Sequence, residues 1–128
     1  MPHITVDYSS NLESEADIAG LCEHLRIAAL GTGVFPLAGI RVRAFAASHV
    51  SIADGSPKHG YIDISVRLRA GRDLATRQAA TEALFEAARA FLSPLMARRS
   101  LALSFEMRDI DPELSPKCGT IREHLEDA

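Results

Sequence analysis

The position of Pro2 suggests an uncommon role for a proline, that of a proton-accepting amine. Pro2 stands directly behind the initiator methionine in MPHITVDY, and a small residue at position two generally allows that methionine to be removed. Removal would leave a prolyl secondary amine, and burial beside an arginine would lower its pKa from the α-amino range of ~7.7–8.0 or above towards neutrality. Such an amine can accept and return a proton. The structural alternative is a proline tolerated at the first position of a strand.

Two arginines have settings that suit the binding of a carboxylate. Arg72 follows an alternating apolar segment and precedes a helix signal at Asp73, so backbone N–H groups at the helix start would also favour an anion. Arg41 alternates with Ile40 and Val42 and therefore points away from the apolar face of its strand. A guanidinium binds a carboxylate with two parallel hydrogen bonds, although any single arginine is more often a solvated surface charge.

Arg43 and Phe35 are weaker candidates in the same stretches. Arg43 shares the face of Arg41, so the pattern alone leaves open which of them is the anchor. Phe35, in the sequence G-V-F-P, would line an apolar wall that keeps a nearby amine uncharged. Simple packing beside a turn proline is the commoner role for such an aromatic side chain.

Composition excludes several other classes of function. The net charge of −3, without a basic cluster, argues against a nucleic-acid partner. No apolar run approaches a membrane span and no signal segment opens the chain, so we expect no membrane partner and a cytoplasmic location. The five histidines and two cysteines lack metal-ligand spacing. We therefore expect neither a metal nor another cofactor.

The strands and helix that carry these residues follow an order that occurs twice along the chain. Ile4, Val6 and Tyr8 alternate in a first strand, and a helix with apolar spacing from Ile18 closes at G-T-G before the strand of Arg41. Several residues between positions 9 and 17 suit the helix cap, and an acidic first turn is expected. The order β-α-β then repeats, with a helix capped by Asp73 and carrying an apolar stripe that includes Ala83.

This order predicts an α+β fold in a single domain, 1–128, with pseudo-repeats over 1–47 and 60–108, a linker at 48–60 and a tail at 109–128. The duplicated β-α-β units should form a four-stranded mixed sheet with two helices on one face. The other face would carry Arg41, Arg43 and Phe45 or the side chains of the third strand. Because that mixture is semi-polar, we expect partner subunits to cover it.

Five segments resemble one known family. They are P-H-I-T-V at 2–6, G-V-F-P-L-A-G-I-R-V-R at 33–43, A-D-G at 53–55, A-G-R-D-L-A-T-R-Q at 70–78 and L-A-L-S-F-E at 101–106. Together they resemble the tautomerase superfamily and, more narrowly, the 5-carboxymethyl-2-hydroxymuconate Δ-isomerase family of homoprotocatechuate breakdown. The motifs are individually modest but occur in order along nearly the whole chain.

The resemblance implies a homotrimer in which Pro2, freed of Met1, is the catalytic base. It implies that Arg41 and Arg72 bind the carboxylates of a small polycarboxylate substrate. In the implied reaction Pro2 removes the proton of the 2-hydroxyl group and returns it at carbon 5, without a cofactor. The arginines would stabilise the charge that develops on the dienolate oxygen.

Two alternatives remain open from the sequence. The same order of elements suits a small oligomeric module that binds an anionic metabolite without catalysis, because a fold does not settle function. A tautomerase acting on another enol or keto acid is the second alternative.

Overall fold

The computed structural model describes residues 2–126. The strands are β1 (His3–Ser9), β2 (Arg41–Ala47), β3 (Gly60–Arg69) and β4 (Leu101–Ile110). The helices are α1 (Ile18–Gly31) and α2 (Leu74–Met96), with short 3₁₀ turns at Ser10–Leu12, Leu37–Gly39 and Ile121–His124. No helix within the described residues is long and apolar enough to cross a bilayer.

The four strands form one mixed sheet in the order β2-β1-β3-β4. β1 and β2 are parallel, β3 and β4 are parallel, and the central pair β1 and β3 is antiparallel. Each helix crosses between the parallel strands of its own half, which confirms the expected β-α-β units. The predicted four-stranded mixed sheet with two helices is therefore confirmed.

The core lies between the sheet and the two helices. Strict alternation in the central strands turns every second side chain towards the helices. The fully buried members on β1 and β3 are Ile4, Val6, Ile62, Ile64, Val66 and Leu68. Helical spacing supplies the opposite side of the core through Leu21, Leu25, Ala29, Ala80, Leu84, Ala88, Leu92 and Leu95.

Both helix starts are fixed by aspartate caps. Asp73 accepts a hydrogen bond from the N–H of Thr76, as the sequence predicts, and Asp17 accepts one from the N–H of Gly20. The predicted acidic first turn of α1 is wrong, because the acidic residues before Asp17 lie outside the helix. Gly33, with a φ of +70°, follows the end of α1 as the G-T-G motif predicts.

Two further sequence expectations need correction. Ala83 is exposed rather than part of the buried stripe of α2, because the stripe follows the positions three and four residues apart that face the sheet. The last strand extends to Ile110, three residues beyond the expected Met107, because Arg69 of β3 still pairs with Ile110.

The linker folds against the end of the sheet opposite Pro2. His59 places its two ring nitrogens 2.8 Å from Asp54 Oδ1 and 2.7 Å from Ser100 Oγ, so it has a carboxylate partner that the sequence spacing did not indicate. Asn11 donates to the carbonyl of His59 at 2.8 Å. These contacts tie the connection between the two halves to the turn before β4.

Candidate active site

Pro2 lies at the edge of the sheet where β1 and β2 begin and β3 ends. Its side chain is fully buried and continues the inward alternation of Ile4 and Val6. Its neighbour His3 pairs with Arg41 of β2 and with Arg67 of β3. We call this edge of the sheet the proline end.

Phe35 packs into the core at the proline end. Its side chain is only 6% exposed and belongs to the same buried cluster as Ile4 and Leu68. The connection from α1 to β2 that carries Phe35 is fixed by the Gly33 turn and by the 3₁₀ turn at Leu37–Gly39. Phe35 thus supplies apolar surroundings at this edge, while contact with a substrate stays a prediction.

Arg72 links two connections at the proline end. Its Nη2 donates to the carbonyl of Val34 at 2.9 Å, and its Nη1 donates to the carbonyl of Arg69 at 3.2 Å. The residue directly precedes the Asp73 cap of α2, at the strand-to-helix junction that the sequence predicts. A guanidinium has five N–H donors, so donors remain to bind a carboxylate while Arg72 holds Val34 beside Phe35.

Arg41 lines an open groove at the proline end. The groove has a volume of about 360 Å³, with one wall formed around Pro36–Arg41 and the other formed by the chain segment Lys117–Arg122. We call it the tail groove. The Nε of Arg41 is buried and has no hydrogen-bond partner among the described residues, and such a donor is costly unless a ligand satisfies it.

A smaller cavity lies beside the tail groove and shares Lys117 with it. This cavity of about 110 Å³ is lined by His3, Arg67 and Arg69 of the sheet and by tail residues. Burial, followed by the charges of Arg67, Arg43 and Arg41, lowers the pKa of His3 below its usual value. The imidazole therefore favours its neutral form, and the Nη1 of Arg43 lies 3.3 Å from its Nδ1.

The predicted site residues gather at one end of the molecule but not around one cavity. Pro2 and Phe35 belong to the helix-covered side of the sheet, whereas Arg41 projects with His3 from the open face. Neither the tail groove nor the smaller cavity is lined by Pro2, Phe35 or Arg72. The chain on its own therefore presents the cationic groups to solvent and keeps the proline ring inside.

Several cationic or titratable residues at this end were not singled out as site residues from the sequence, among them His3, Arg67, Arg69, Lys117 and Arg122. The alternation of β1 and β3 already indicates that His3 and Arg67 share the open face, so the signal for those two was present. Lys117 and Arg122 lie in the tail beyond β4, whose turns and short 3₁₀ segment have no periodicity to reveal their direction.

Comparison with known proteins places the chain among isomerases. A model of the 5-carboxymethyl-2-hydroxymuconate isomerase family matches residues 2–125. The 5-carboxymethyl-2-hydroxymuconate Delta-isomerase of Escherichia coli is 40% identical over 121 residues, which cover 94% of this chain and 96% of that protein.

Solved structures agree with the family match. The crystal structure of a 5-carboxymethyl-2-hydroxymuconate delta-isomerase has a TM-score of 0.92 at 31% identity, covering 100% of this chain and 95% of the other. An isomerase of the same name from Deinococcus radiodurans R1 has a TM-score of 0.89 at 29% identity, covering 96% and 92%. The symmetric trimer of fused 4-OT called W0 shares the fold alone, with a TM-score of 0.63 at 17% identity over 91% and 93% of the chains.

Proposed function

This chain belongs to the 5-carboxymethyl-2-hydroxymuconate isomerase family of the tautomerase superfamily, and we propose that it isomerises 5-carboxymethyl-2-hydroxymuconate to the 2-oxo-hexenedioate isomer without a cofactor. Pro2, after removal of Met1, is the general base and acid. The observation that carries this proposal is the full burial of the Pro2 ring at the edge of the sheet where the cations of the open face gather.

The position of Pro2 suits a proton shuttle. Full burial disfavours a protonated amine, and the positive charges gathered at the proline end act in the same direction, so the ring nitrogen would be available as a base at neutral pH once Met1 is removed. The nitrogen takes the proton from the 2-hydroxyl group and delivers a proton to carbon 5. The enol becomes a ketone, one carbon–carbon double bond moves and the composition of the substrate is unchanged.

The arginines supply the electrostatic part of the reaction. Arg41 lines the tail groove and has a buried Nε without a partner among the described residues, and Arg72 has N–H donors beyond the two bound to carbonyls. Both are suited to hold substrate carboxylates and to stabilise the dienolate oxygen as its negative charge develops. Phe35 keeps the surroundings of the proline apolar.

Replacing Pro2 tests the proton shuttle directly. Pro2→Ala offers a primary amine of different basicity and geometry, so kcat should fall by about 100-fold, the lower range for general acid–base catalysis. Pro57→Ala, in the exposed linker, is the matched control and should retain wild-type turnover. Intact mass establishes whether Met1 is absent from each preparation, and wild-type kcat in Pro2→Ala with Met1 removed contradicts the proposal.

The substrate is tested separately from the base. Rates with 5-carboxymethyl-2-hydroxymuconate, 2-hydroxymuconate and the enol of phenylpyruvate rank the substrates within the superfamily. Fastest turnover of phenylpyruvate enol indicates a different tautomerase. Binding of the polycarboxylates without any turnover indicates a metabolite-binding module instead.

The proposal includes a homotrimer that acts in the cytoplasm, in the breakdown of homoprotocatechuate. Its support is the open face of the sheet, which the two helices leave uncovered, together with the trimeric state named for a protein of the same fold. A second and third copy would cover the part of that face that the tail leaves open. Native mass spectrometry should give the mass of three chains, and a monomer at micromolar concentration would contradict this part.

A further inference from the structure

The path of the tail brings cations to the proline end. β4 ends at Ile110 beside Arg69, where the N–H of Ala70 donates to the Ile110 carbonyl at 3.1 Å. From there the chain passes the smaller cavity at His3 and Arg67 and reaches the tail groove at Arg41. The tail therefore crosses the open face from β4 to β2, and Lys117 lies between the two cavities.

The side chains that line the two cavities along this path carry an excess of positive charge. The cationic side chains that line the two cavities are Arg41, Arg67, Arg69, Lys117 and Arg122, and no carboxylate side chain lines either one. Within residues 2–126 none of these five forms an ion pair. In a chain of net charge −3 such a concentration favours the capture of an anion.

The tail is attached in a way that allows a ligand to enter beneath it. The hydrogen bonds of residues 112–126 within the described chain stay inside the tail itself, such as that from Ser115 Oγ to the Asp111 carbonyl at 2.6 Å. Lys117 and Arg122 are exposed. A segment with few buried contacts and no hydrogen bonds to the sheet can shift at low cost.

We propose that the tail groove binds the carboxylate of the substrate's carboxymethyl group, with Lys117 and Arg122 acting beside Arg41 as specificity-determining residues. This inference rests on the proposed function and adds to it the group that distinguishes a tricarboxylate from a dicarboxylate enol. The carboxymethyl carboxylate is separated from the conjugated dienol by a CH2 group and gains no charge in the reaction, so the cations that hold it govern binding rather than proton transfer.

Steady-state kinetics with two substrates tests the assignment. Lys117→Gln and Arg122→Gln should each raise KM for 5-carboxymethyl-2-hydroxymuconate about tenfold, the lower end of the range for a charge-assisted hydrogen bond, because both side chains are exposed. The kcat should stay at the wild-type value. For 2-hydroxymuconate, which lacks the carboxymethyl group, both KM and kcat should be unchanged. Equal losses with the two substrates, or none with either, overturn the inference.

The chain provides a matched control for the lysine. Lys58 is the only other lysine, and it lies in the linker at the opposite end of the sheet. Its backbone N–H and carbonyl make the hydrogen bonds there. Lys58→Gln therefore removes the same charge without touching the groove and should leave both substrates unaffected; a KM rise equal to that of Lys117→Gln would show a general charge effect and overturn the assignment.

Calorimetry separates failure of this inference from failure of the proposed reaction. Propane-1,2,3-tricarboxylate should bind the wild-type protein, and its Kd should weaken about tenfold in Lys117→Gln and in Arg122→Gln. If the wild type turns over neither enol yet shows this pattern, the groove assignment stands and the isomerase proposal fails. If the wild type isomerises the tricarboxylate enol but the variants bind the probe as it does, the groove assignment fails alone.

Discussion

The open face of the sheet differs between its two ends, although the same central strands form both. At the proline end His3 lies among Arg41, Arg43 and Arg67, and burial followed by those charges lowers its pKa. At the opposite end, which we call the acidic end, Tyr61 donates to Asp7 Oδ1 at 2.7 Å. Burial, that hydrogen bond and the charges of Asp7 and Asp63 raise the pKa of Tyr61 to about 12.

The two ends of the open face therefore differ in the charge of their side chains and not in the alternation of apolar and polar residues along the strands. Both ends alternate inward apolar and outward polar residues, and both sit over the same core. Net charge therefore says little about what such a face binds, because a chain of charge −3 keeps a local excess of cations at one edge. That edge is also the edge of Pro2, so the proposed anion-binding groups and the proposed base share one end.

Among the substitutions that compare the two ends, removal of the Arg41 side chain should have the largest effect. Arg41→Gln deletes a charge-assisted hydrogen bond to substrate, typically worth about 1.5–3 kcal/mol, so kcat/KM for 5-carboxymethyl-2-hydroxymuconate should fall about 10- to 100-fold. The initial rate of ketonisation measures it. Because the unpartnered Nε of Arg41 is buried, loss of the side chain should not reduce stability.

Asp63→Asn is the corresponding change at the acidic end. The asparagine can still accept the hydrogen bond that Ser104 Oγ donates to Asp63 Oδ1 at 2.6 Å. Because Asp63 lies at the end of the face away from Pro2, this substitution should alter kcat/KM by no more than about twofold. A loss as large as that of Arg41→Gln would mean that both ends serve the reaction, and the contrast would fail.

The second prediction compares Arg99 and Arg72, whose hydrogen bonds hold loops in place at opposite ends of the sheet. Arg99 donates to Glu15 Oε2 at 2.7 Å and to the Lys58 carbonyl at 2.8 Å, and its side chain is 9% exposed. Arg99→Ala leaves both acceptors without their donor and should lower the free energy of unfolding by about 2 kcal/mol. Arg72→Ala, which removes hydrogen bonds to two backbone carbonyls but no ion pair, should cost about 1 kcal/mol.

Urea denaturation monitored by circular dichroism measures both changes. Only Arg72→Ala should also reduce kcat/KM, because Arg72 lies at the proline end. Loss of activity in Arg99→Ala at a temperature where the protein is fully folded would remove the distinction between the ends.

Local patterns in the sequence account for most of the sheet and the helices. The alternation of β3 and the Asp73 cap depend on neighbours within four residues, so they are visible without the fold. The cap of α1 is not fixed locally, since several residues before Ile18 satisfy the same rule. In the structure Leu12 packs into the core ahead of the helix, and Asp17 is the residue whose side chain caps α1.

The site is less visible in the sequence because its contacts are long-range. The bond from Arg72 to Val34 joins positions 38 apart, and the groove forms only when the aperiodic tail crosses back to Arg41. Resemblance to a family implies roles for Pro2, Arg41 and Arg72, but only the folded chain shows that Lys117 and Arg122 line a groove together with Arg41. The sequence pattern therefore predicts the strands and helices that carry the site better than it predicts all of the cationic side chains around it.

The third prediction concerns the acidic end at high pH. Tyr61 has a folded pKa of about 12 against 10.0 for the free side chain, so its contribution to stability is complete below pH 10 and is lost as the pH rises from 10 towards 12. Asp7→Asn removes the carboxylate and should lower the pKa of Tyr61, though not to 10.0, because burial remains. Absorbance at the phenolate band follows this titration, and an unchanged midpoint in Asp7→Asn contradicts the role of Asp7.

The smallest expected effect is on His3 at the proline end. Its folded pKa lies below 6.5, so the unfolded chain binds the proton more readily and stability falls as the pH drops through 6.5 to the folded value. Arg67→Gln removes the largest of the charges that lower this pKa and should raise it towards 6.5, as followed by NMR of the imidazole. Arg26→Gln, on α1 beside Glu23, should leave it unchanged.

The same resonance also reports on the tail groove. His3 and Lys117 line one cavity, so propane-1,2,3-tricarboxylate bound beside them adds negative charge and should raise the pKa of His3 in the wild-type protein. Lys117→Gln should weaken that response to the ligand, because less ligand binds at a given concentration. Tyr61 at the acidic end should not respond in either protein. An equal response at both ends would show that the anion binds without preference along the face, and the charge contrast would then have no bearing on substrate binding.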